Sequence, residues 1–586
     1  MSSNQLTPTT AAPTIGRFMA LVAVLSITTC APATPGPAAN QPVTPLDDGA
    51  GKTIVLTQLA GYKSIGPWQF ANTGGGQAPL VEIHTVGITT EDSQANVIPR
   101  LATAIPSLQD GSLVIFPDGR MDTTWKLRSN VTWQDGTPFT SQDLVFSLAA
   151  NREPALQSSI ESGTQYIDSI DAPDPTTAVM HWRTTYFKAL ELTHRVFWLY
   201  PKHILEQPLQ ANPETIQNDP YFTSAYVHLG PFRLVEWGLG ENMVFQRHDN
   251  YFMGRPKVER MVIHVIGDQN AMLAALKSGA VDIVPNSTLP NDLYVDLAEE
   301  WSRTGDGVIA RAPENWKYIW FQLDPRWARP VEVGQDVRFR RGFLFGLDRL
   351  AIRELIYPNM PQADTDSFLF SGDPRSSVIG QPYAAYHYDP ARAIQQWTEA
   401  GWVRGADGRF VNTAGQPIQV EIRATDQNVR QVPALAAGWR SLGVAVAENI
   451  TPPSRQRDEE YKATFPSMES RGRGVGEDVF TSFDGRGQAL PDNRWFGANN
   501  SHYANPELDR LIDVMRSTVD STERTQRLKE AGDILVRDMP AIPVYFGIVS
   551  MSIRRSVQGP LAEDFTHMHD SSGGPASRNA HLWQRV

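Results

Sequence analysis

The sequence predicts an α/β fold divided into more than one lobe, and three observations point there. The chain has 586 residues, and a single hydrophobic core stops growing well below that length, so two or three lobes are needed. The stretch "VERMVIHVI" (258–266), followed by "DQNAMLAALKSGAVDIV" (268–284), reads as strand, helix, strand. That is the spacing of a βαβ unit, hence of a sheet that is at least partly parallel. Hydrophobic residues make up 41% of the chain and charged residues 20%, a globular balance rather than a disordered one.

The elements follow in order. "KTIVLTQLA" (52–60) is a first strand, and "GYKSIGPWQFANTGGGQAP" (61–79) is a loop by its glycine and aromatic content. "TWKLRSNVTW" (124–133) alternates as a strand does. Asp135 and Gly136 then have turn chemistry, and Thr140 with Asp143 has the spacing of a capping box at the start of a helix. Leu144, Val145, Leu148 and Ala149 are expected to form that helix's apolar face. "AVMHWR" (178–183) is a strand, and "LGPFRLVEWGLGENMVFQRHDNYF" (229–252) is a hairpin turned at Gly-Leu-Gly. Near residue 311 the character restarts. "WKYIWFQLD" (316–324) is an aromatic strand, "VRFRRGFLFGLDRLAIRELIY" (337–357) one long helical segment, "DPARAIQQWTEAGW" (389–402) a helix and "PIQVEIRAT" (417–425) a strand. Residues 505–546 give two amphipathic helices and a return strand flanked by Pro540 and Pro543.

Charge and cysteine content exclude several classes. A net charge of −12 argues against nucleic-acid partners, whose phosphates need a basic face. The single cysteine, Cys30, forbids an internal disulfide. It follows Arg17 and an apolar run from Phe18 to Ile27, too short to span a bilayer but suited to a signal peptide over 1–29. A cysteine placed there is where a bacterial lipoprotein is lipidated, so Cys30 is the expected membrane anchor. The alternative is a plain signal with an incidental cysteine. Residues 30–51, rich in Pro, Ala, Thr and Gly, read as a flexible tether. There is no HExxH, no G-x-S-x-G, no P-loop and no other cysteine, so no catalytic residue is assigned and no enzyme is expected. "HMHD" (567–570) offers two histidines without a third ligand. No metal and no cofactor are expected.

Several blocks carry a resemblance. "LATAI", "TWKLRSNVTWQDGTPFTSQDLVFSL", "LGPFRLVEW", "RHDNYFMGRPKVERMVIHVI", "AALKSGAVDIV", "YDPARAIQQWTEAGW" and "NPELDRLID … AIPVYF" lie in one order between about residues 100 and 547. In that order they resemble the extracellular solute-binding family 5, the oligopeptide, dipeptide and nickel type that feeds ABC importers. The resemblance implies a two-lobed periplasmic-binding-protein-like fold with a hinge. It implies a first lobe over 51–310 with an extra subdomain near 90–220, a second lobe over 311–537, and a C-terminal return over 538–586. It also implies a monomer that captures a peptide or other small polar or amphipathic solute between its lobes and hands it to ABC permease subunits, either periplasmic or on the outer face of the cell membrane. A secreted hydrolase working through cleft carboxylates and a ligand sensor for a membrane receptor are the competing readings.

The chain departs from this pattern where a ligand would sit. Peptide binders of the family place an aspartate in a Trp-x-x-Asp-Tyr-like segment. Here "MESRGRGVGEDVFTSF" (468–483) lacks the tryptophan, with Asp478 or Glu477 as loose counterparts. Arg471 and Arg473 close by suit a carboxylate or phosphate through their forked donors. Tyr62 and Trp68 lie in the loop after the first strand. Trp316, Tyr318 and Trp320 alternate and so share one strand face, which is either core or a stacking surface. Trp495 and Tyr503 flank the polar loop before the helix at 505. The expected ligand-binding set is therefore Tyr62, Trp68, Trp316, Tyr318, Arg471, Arg473, Asp478, Trp495 and Tyr503.

Overall fold

Ten strands form one mixed sheet. They are β1 (Thr53–Gln58), β2 (Phe232–Trp237), β3 (Met243–Arg247), β4 (Arg260–Val265), β5 (Ile283–Val284), β6 (Gly307–Phe321), β7 (Gln419–Ala424), β8 (Ala445–Ile450), β9 (Met468–Gly474) and β10 (Ala541–Arg554). Their spatial order is β8-β7-β9-β6-β10-β5-β1-β4-β3-β2. The structure is a computed structural model describing residues 52–67, 78–92, 96–156, 163–238, 242–286, 288–360, 363, 366–425, 429–474, 477–566 and 575–586. The signal and tether segments, Trp68 and "HMHD" lie outside the described residues.

The βαβ unit is present. β4 leads through the helix Gln269–Ser278 to β5, and β1 pairs in parallel with both strands. Asp268 caps that helix by accepting from the Ala271 N–H at 2.7 Å, and Gly279 ends it with φ +84°, a backbone that glycine adopts without the Cβ penalty. The same capping chemistry starts the helices Pro390–Glu399, Pro506–Ser517 and Ser521–Asp538, from Asp389, Asn505 and Asp520.

β6 and β10 are antiparallel and pair from Gly307–Arg554 at one end to Trp320–Ala541 at the other. Their residues divide between two cores. Ala310, Ala312, Val549, Met551 and Ile553 pack with Ile54, Leu56, Met261 and Ile263 in a first lobe. Trp316, Ile319, Phe321, Ile542 and Phe546 pack with Phe343, Trp397 and Trp439 in a second. Between them the ladder slips at Pro313/Asn315. Gly547 stands at the slip because a Cβ there would come within 2.5 Å of the Asn315 side chain. A third core, around Trp125, Trp133 and Trp182, belongs to a four-stranded sheet whose central strands are Met121–Lys126 and Thr177–Trp182.

Four local expectations are corrected. The strand expected over 124–133 ends at Lys126: past it the Arg128 N–H donates to the Leu101 carbonyl at 2.9 Å, and the chain turns at Trp133, where the Gly136 N–H donates to the Trp133 carbonyl at 2.8 Å. In the helix Ser141–Arg152, Ala149 is exposed and Ser147 takes the inner position, its hydroxyl accepting from the Tyr200 N–H at 2.8 Å. The segment 337–357 is two helices, Val337–Phe345 and Arg349–Ile356. They part at Gly346 because the Asp348 carboxylate caps the second by accepting from the Ala351 N–H at 2.9 Å. The aromatic strand begins nine residues early, at Gly307, and the return strand runs on to Arg554 with Pro543 inside it. Pro543, which has no N–H, sits beside the second register slip, opposite Tyr318.

The first lobe buries neutral histidines. His84 stacks on Phe245 and its Nδ1 lies 3.0 Å from the Tyr226 hydroxyl. His228 sits between the Thr85 hydroxyl and the Leu199 carbonyl, at 2.9 and 3.1 Å. Burial, reinforced by His194, lowers His84 from 6.5 to about 3, and burial lowers His228 well below its ordinary value. Below pH 6.5 the unfolded chain takes up protons that the folded chain refuses, so stability falls as pH drops from about 6.5 toward 3. His84 alone should account for about 2 kcal/mol by pH 5. Urea denaturation at pH 7.5 and pH 5 should show this loss, and His84→Gln, which keeps a partner for Tyr226, should reduce the difference between the two pH values.

Candidate functional site

Strand direction locates the site. β5 is antiparallel to β10 and β10 to β6, so β1, β4 and β5 all run toward the second lobe and end at Gln58, Val265 and Val284. β9 is antiparallel to β6 and parallel to β7, so β7 and β9 run the opposite way and end at Ala424 and Gly474, with Gly474 opposite Asn315 at the slip. The carboxyl ends of the parallel strands in both lobes therefore face each other across the waist, which is where open α/β sheets bind ligands.

Among the described residues, one strand at that point is paired along only one of its edges. β6 pairs with all of Met468–Gly474, but β7 reaches only Met468, Glu469 and Ser470. Among the described residues, the edge of β9 from Arg471 to Gly474 has no neighbouring strand. Glycines at 472 and 474 leave that edge bare. A side chain at Gly472 would come within 2.8 Å of the Lys317 ammonium.

Four of the expected residues meet on one face of β6 and β9. Arg473 lies opposite Trp316, and Arg471 opposite Tyr318. Trp316 and Tyr318 stack with ring centroids 4.6 Å apart, and both are 0% exposed within the second lobe's core. Burial pushes the Tyr318 phenol up to about 12, with Arg473 and Arg471 pulling the other way. Arg471 Nε lies 3.0 Å from the buried Glu469 carboxylate. Burial raises that carboxyl, while Arg471 and Arg423 oppose the shift. Arg473 is exposed and donates to the Ala498 carbonyl at 3.3 Å. Trp495 lies at the rim, edge-on to Trp327 at 5.6 Å, and adopts a left-handed backbone at φ +64°, as Arg494 does at +55°. Such a pair of non-glycine residues is held only where the surroundings enforce it.

The others lie elsewhere. Tyr62 is buried in the first lobe's core, its hydroxyl 3.1 Å from the Gln58 amide that ends β1. Tyr503 is buried and donates to Asp538 at 2.7 Å, so it serves the packing of the helix Ser521–Asp538. Asp478 begins a short helix, Asp478–Thr481; its side chain lies outside what is described. Sequence reasoning did not single out Glu314 and Lys317, which oppose each other's burial shifts beside the slip. A lysine inside a run of aromatics, "NWKYIW", was the available signal.

The lobes also touch away from the waist. The Phe187 N–H, from the third core's region, donates to the Arg516 carbonyl of the second lobe at 3.0 Å, and the Arg524 guanidinium lies 5.4 Å from the Phe187 ring centre. Glu477 holds Arg524 at 3.0 Å and Arg375 at 2.8 Å, and Arg375 also reaches the buried Asp373 at 2.7 Å. On the opposite side, the Asn291 amide donates to the Ile356 carbonyl at 3.2 Å.

Two lobes on shared strands, with their parallel strands ending face to face, define a solute-binding protein of the two-lobed kind. Residues 96–484 match the family described as bacterial extracellular solute-binding proteins, family 5 Middle, and the chain belongs to that family. Heme-binding protein A of Haemophilus influenzae is 25% identical over 486 residues, covering 78% of this chain and 82% of that protein. Among solved structures, an ABC transporter substrate binding protein of Listeria monocytogenes matches with TM-score 0.68 at 19% identity, over 90% of this chain and 99% of that one. The oligopeptide-binding protein AppA of Bacillus subtilis, in complex with a nonapeptide, matches with TM-score 0.63 at 18% identity, over 91% and 99%. The chain is the substrate-binding component of an ABC importer. The family consists of transport proteins rather than enzymes, and they work outside the cytoplasm. Among the described residues no helix is long and apolar enough to cross a membrane.

The Glu477 cluster is the sharpest test of this arrangement. Glu477→Gln leaves two half-desolvated guanidiniums without their shared carboxylate and should lower unfolding free energy by about 2 kcal/mol, measured by chemical denaturation.

Proposed function

We propose that this protein captures a peptide, or another small polar solute carrying peptide-like groups, in the cleft between its lobes and delivers it to a membrane permease. The bare edge of β9 from Arg471 to Gly474 carries this reading. Free N–H and C=O groups at the carboxyl end of a strand accept an extended main chain as an added strand, and alternate side chains then meet the aromatic rim at Trp495 and Trp327. The name and the complex of the relatives, heme in one and a nonapeptide in the other, are consistent with a cleft whose floor is shared and whose side chains choose the cargo.

In this reading the first lobe spans 51–310 and the second 311–537, with residues 538–586 returning to the first. The lobes close about Pro313–Asn315 and Gly547, and the bound form is the one presented to the permease. The chain works as a monomer, leaves as a precursor with a signal over 1–29, and is held at the outer face of the membrane by a lipid on Cys30 through the 30–51 tether. Trp68 and Asp478 are the remaining candidates for contact with the solute.

Incubating the purified protein with a mixture of peptides and oligosaccharides, followed by mass spectrometry, should return every component unchanged, with one class retained on the protein. Products formed in excess over enzyme would sink the binding reading in favour of hydrolysis. In membrane fractionation, Cys30→Ser should move the protein from the membrane to the soluble fraction; unchanged membrane association would remove the lipid anchor.

A further inference from the structure

We propose that the second lobe anchors its solute by an anionic group, a carboxylate or a phosphoryl, through Arg473 with the Tyr318 hydroxyl behind it. The inference rests on the solute-binding reading above and narrows the cargo to a class.

The two arginines on this face differ in what they hold. Arg471 is committed: Glu469 lies 3.0 Å from it inside the lobe, and Asn500, with its amide turned to satisfy both neighbours, accepts from Arg471 at 2.8 Å. Arg473 has no carboxylate within 4.0 Å among the described residues; it donates to the Ala498 carbonyl at 3.3 Å and lies against the Tyr318 hydroxyl. A guanidinium has five N–H donors in a planar fork, so most of its donors remain for a ligand. Its position is fixed by the strand. Arg473 is the last side chain before Gly474 at the waist, on the face shared with Trp316 and Tyr318.

A buried group beside it independently needs a partner. Tyr318 is 0% exposed; the Arg473 guanidinium is the side-chain donor at its hydroxyl, and the phenol's own O–H meets no acceptor. The Trp320 indole N–H, two residues along the same face, is likewise buried and unpartnered. Buried donors in native proteins are almost always satisfied, and the nearest charges to the phenol are Arg473 and Arg471, both donors. What this face lacks is an acceptor. An oxyanion bound between Arg473 and Tyr318 supplies it, with charge-assisted hydrogen bonds from both. A cationic amine would meet two guanidiniums and a single committed acid.

The test uses the full mature chain. Solute released from freshly purified protein by denaturation is identified by mass spectrometry. Binding by tryptophan fluorescence is then measured for three amidated, N-acetylated tetrapeptides that differ at one position in glutamate, glutamine or phosphoserine. The expected result is a released solute with an acidic group and a wild-type preference for the glutamate or phosphoserine peptide over the glutamine peptide. The arm that wins separates carboxylate from phosphoryl. Arg473→Gln should reduce that preference ~10- to 100-fold while leaving the glutamine peptide's affinity within twofold. Tyr318→Phe should weaken the anionic peptide alone, and Arg473→Lys should not restore it fully, since an ammonium lacks the fork. A neutral or cationic released solute, or an anion preference that survives Arg473→Gln, overturns the inference and leaves solute binding standing. No released solute and no binding of any probe overturns the solute-binding reading and this inference together.

Discussion

Two antiparallel strands, Gly307–Phe321 and Ala541–Arg554, are the constraint on which the rest of this molecule depends. Each is long enough to enter both lobes, and together they are the only described strands whose residues pack into both of the large cores. A continuous ladder transmits position stiffly along its length. A slip in register at Pro313/Asn315, with a glycine opposite, interrupts that stiffness at one place. The direction of these two strands also sets the polarity of their neighbours, so the carboxyl ends on both sides meet at the slip.

The aromatic face of β6 shows how one surface serves two purposes. Trp316, Tyr318 and Trp320 are buried and hold the second lobe's core, as three rings on one face are inclined to do. Yet the Tyr318 O–H and the Trp320 N–H meet no acceptor, and the strand beside them carries Arg471 and Arg473 on the same face. The apolar bodies of the rings stabilise the lobe. Of the alternatives posed by the sequence, core and ligand surface, the structure shows core for all three rings.

Both sides of the waist bury paired charges, and the first lobe buries neutral histidines as well. In the first lobe His84 and His228 are kept neutral, held by a phenol, a hydroxyl and a carbonyl, while Arg578 pairs with the buried Asp564 at 2.6 Å. In the second lobe the charges are paired: Glu469 with Arg471, and Glu477 between Arg375 and Arg524. The Glu477 pair of bonds also links the end of the cleft-facing segment to Arg524, which lies by Phe187 where the lobes touch. Desolvated charges of this kind keep their geometry only while every partner is present.

By itself the sequence determined the βαβ unit, the capped helices, the hairpin and the α/β class, because these depend on periodicity and on turn and cap residues within a few positions. It also located the departure from the family's pattern at 468–483. Only the tertiary structure decided the extent of the two long strands, the break at Gly346, and the inward turn of Ser147 in place of Ala149. Each involves a partner distant in sequence: β10 for β6, Leu442 and Trp439 against Gly346, Tyr200 for Ser147. The same limit governed the candidate site. Alternation alone put Trp316 and Tyr318 on one face, but it took the pairing of β6 with β9 to bring Arg471 and Arg473 beside them. Tyr503, which sequence placed in the ligand-binding set, donates to Asp538 instead. A local pattern fixes which side a residue faces; what it faces is fixed by segments hundreds of residues away.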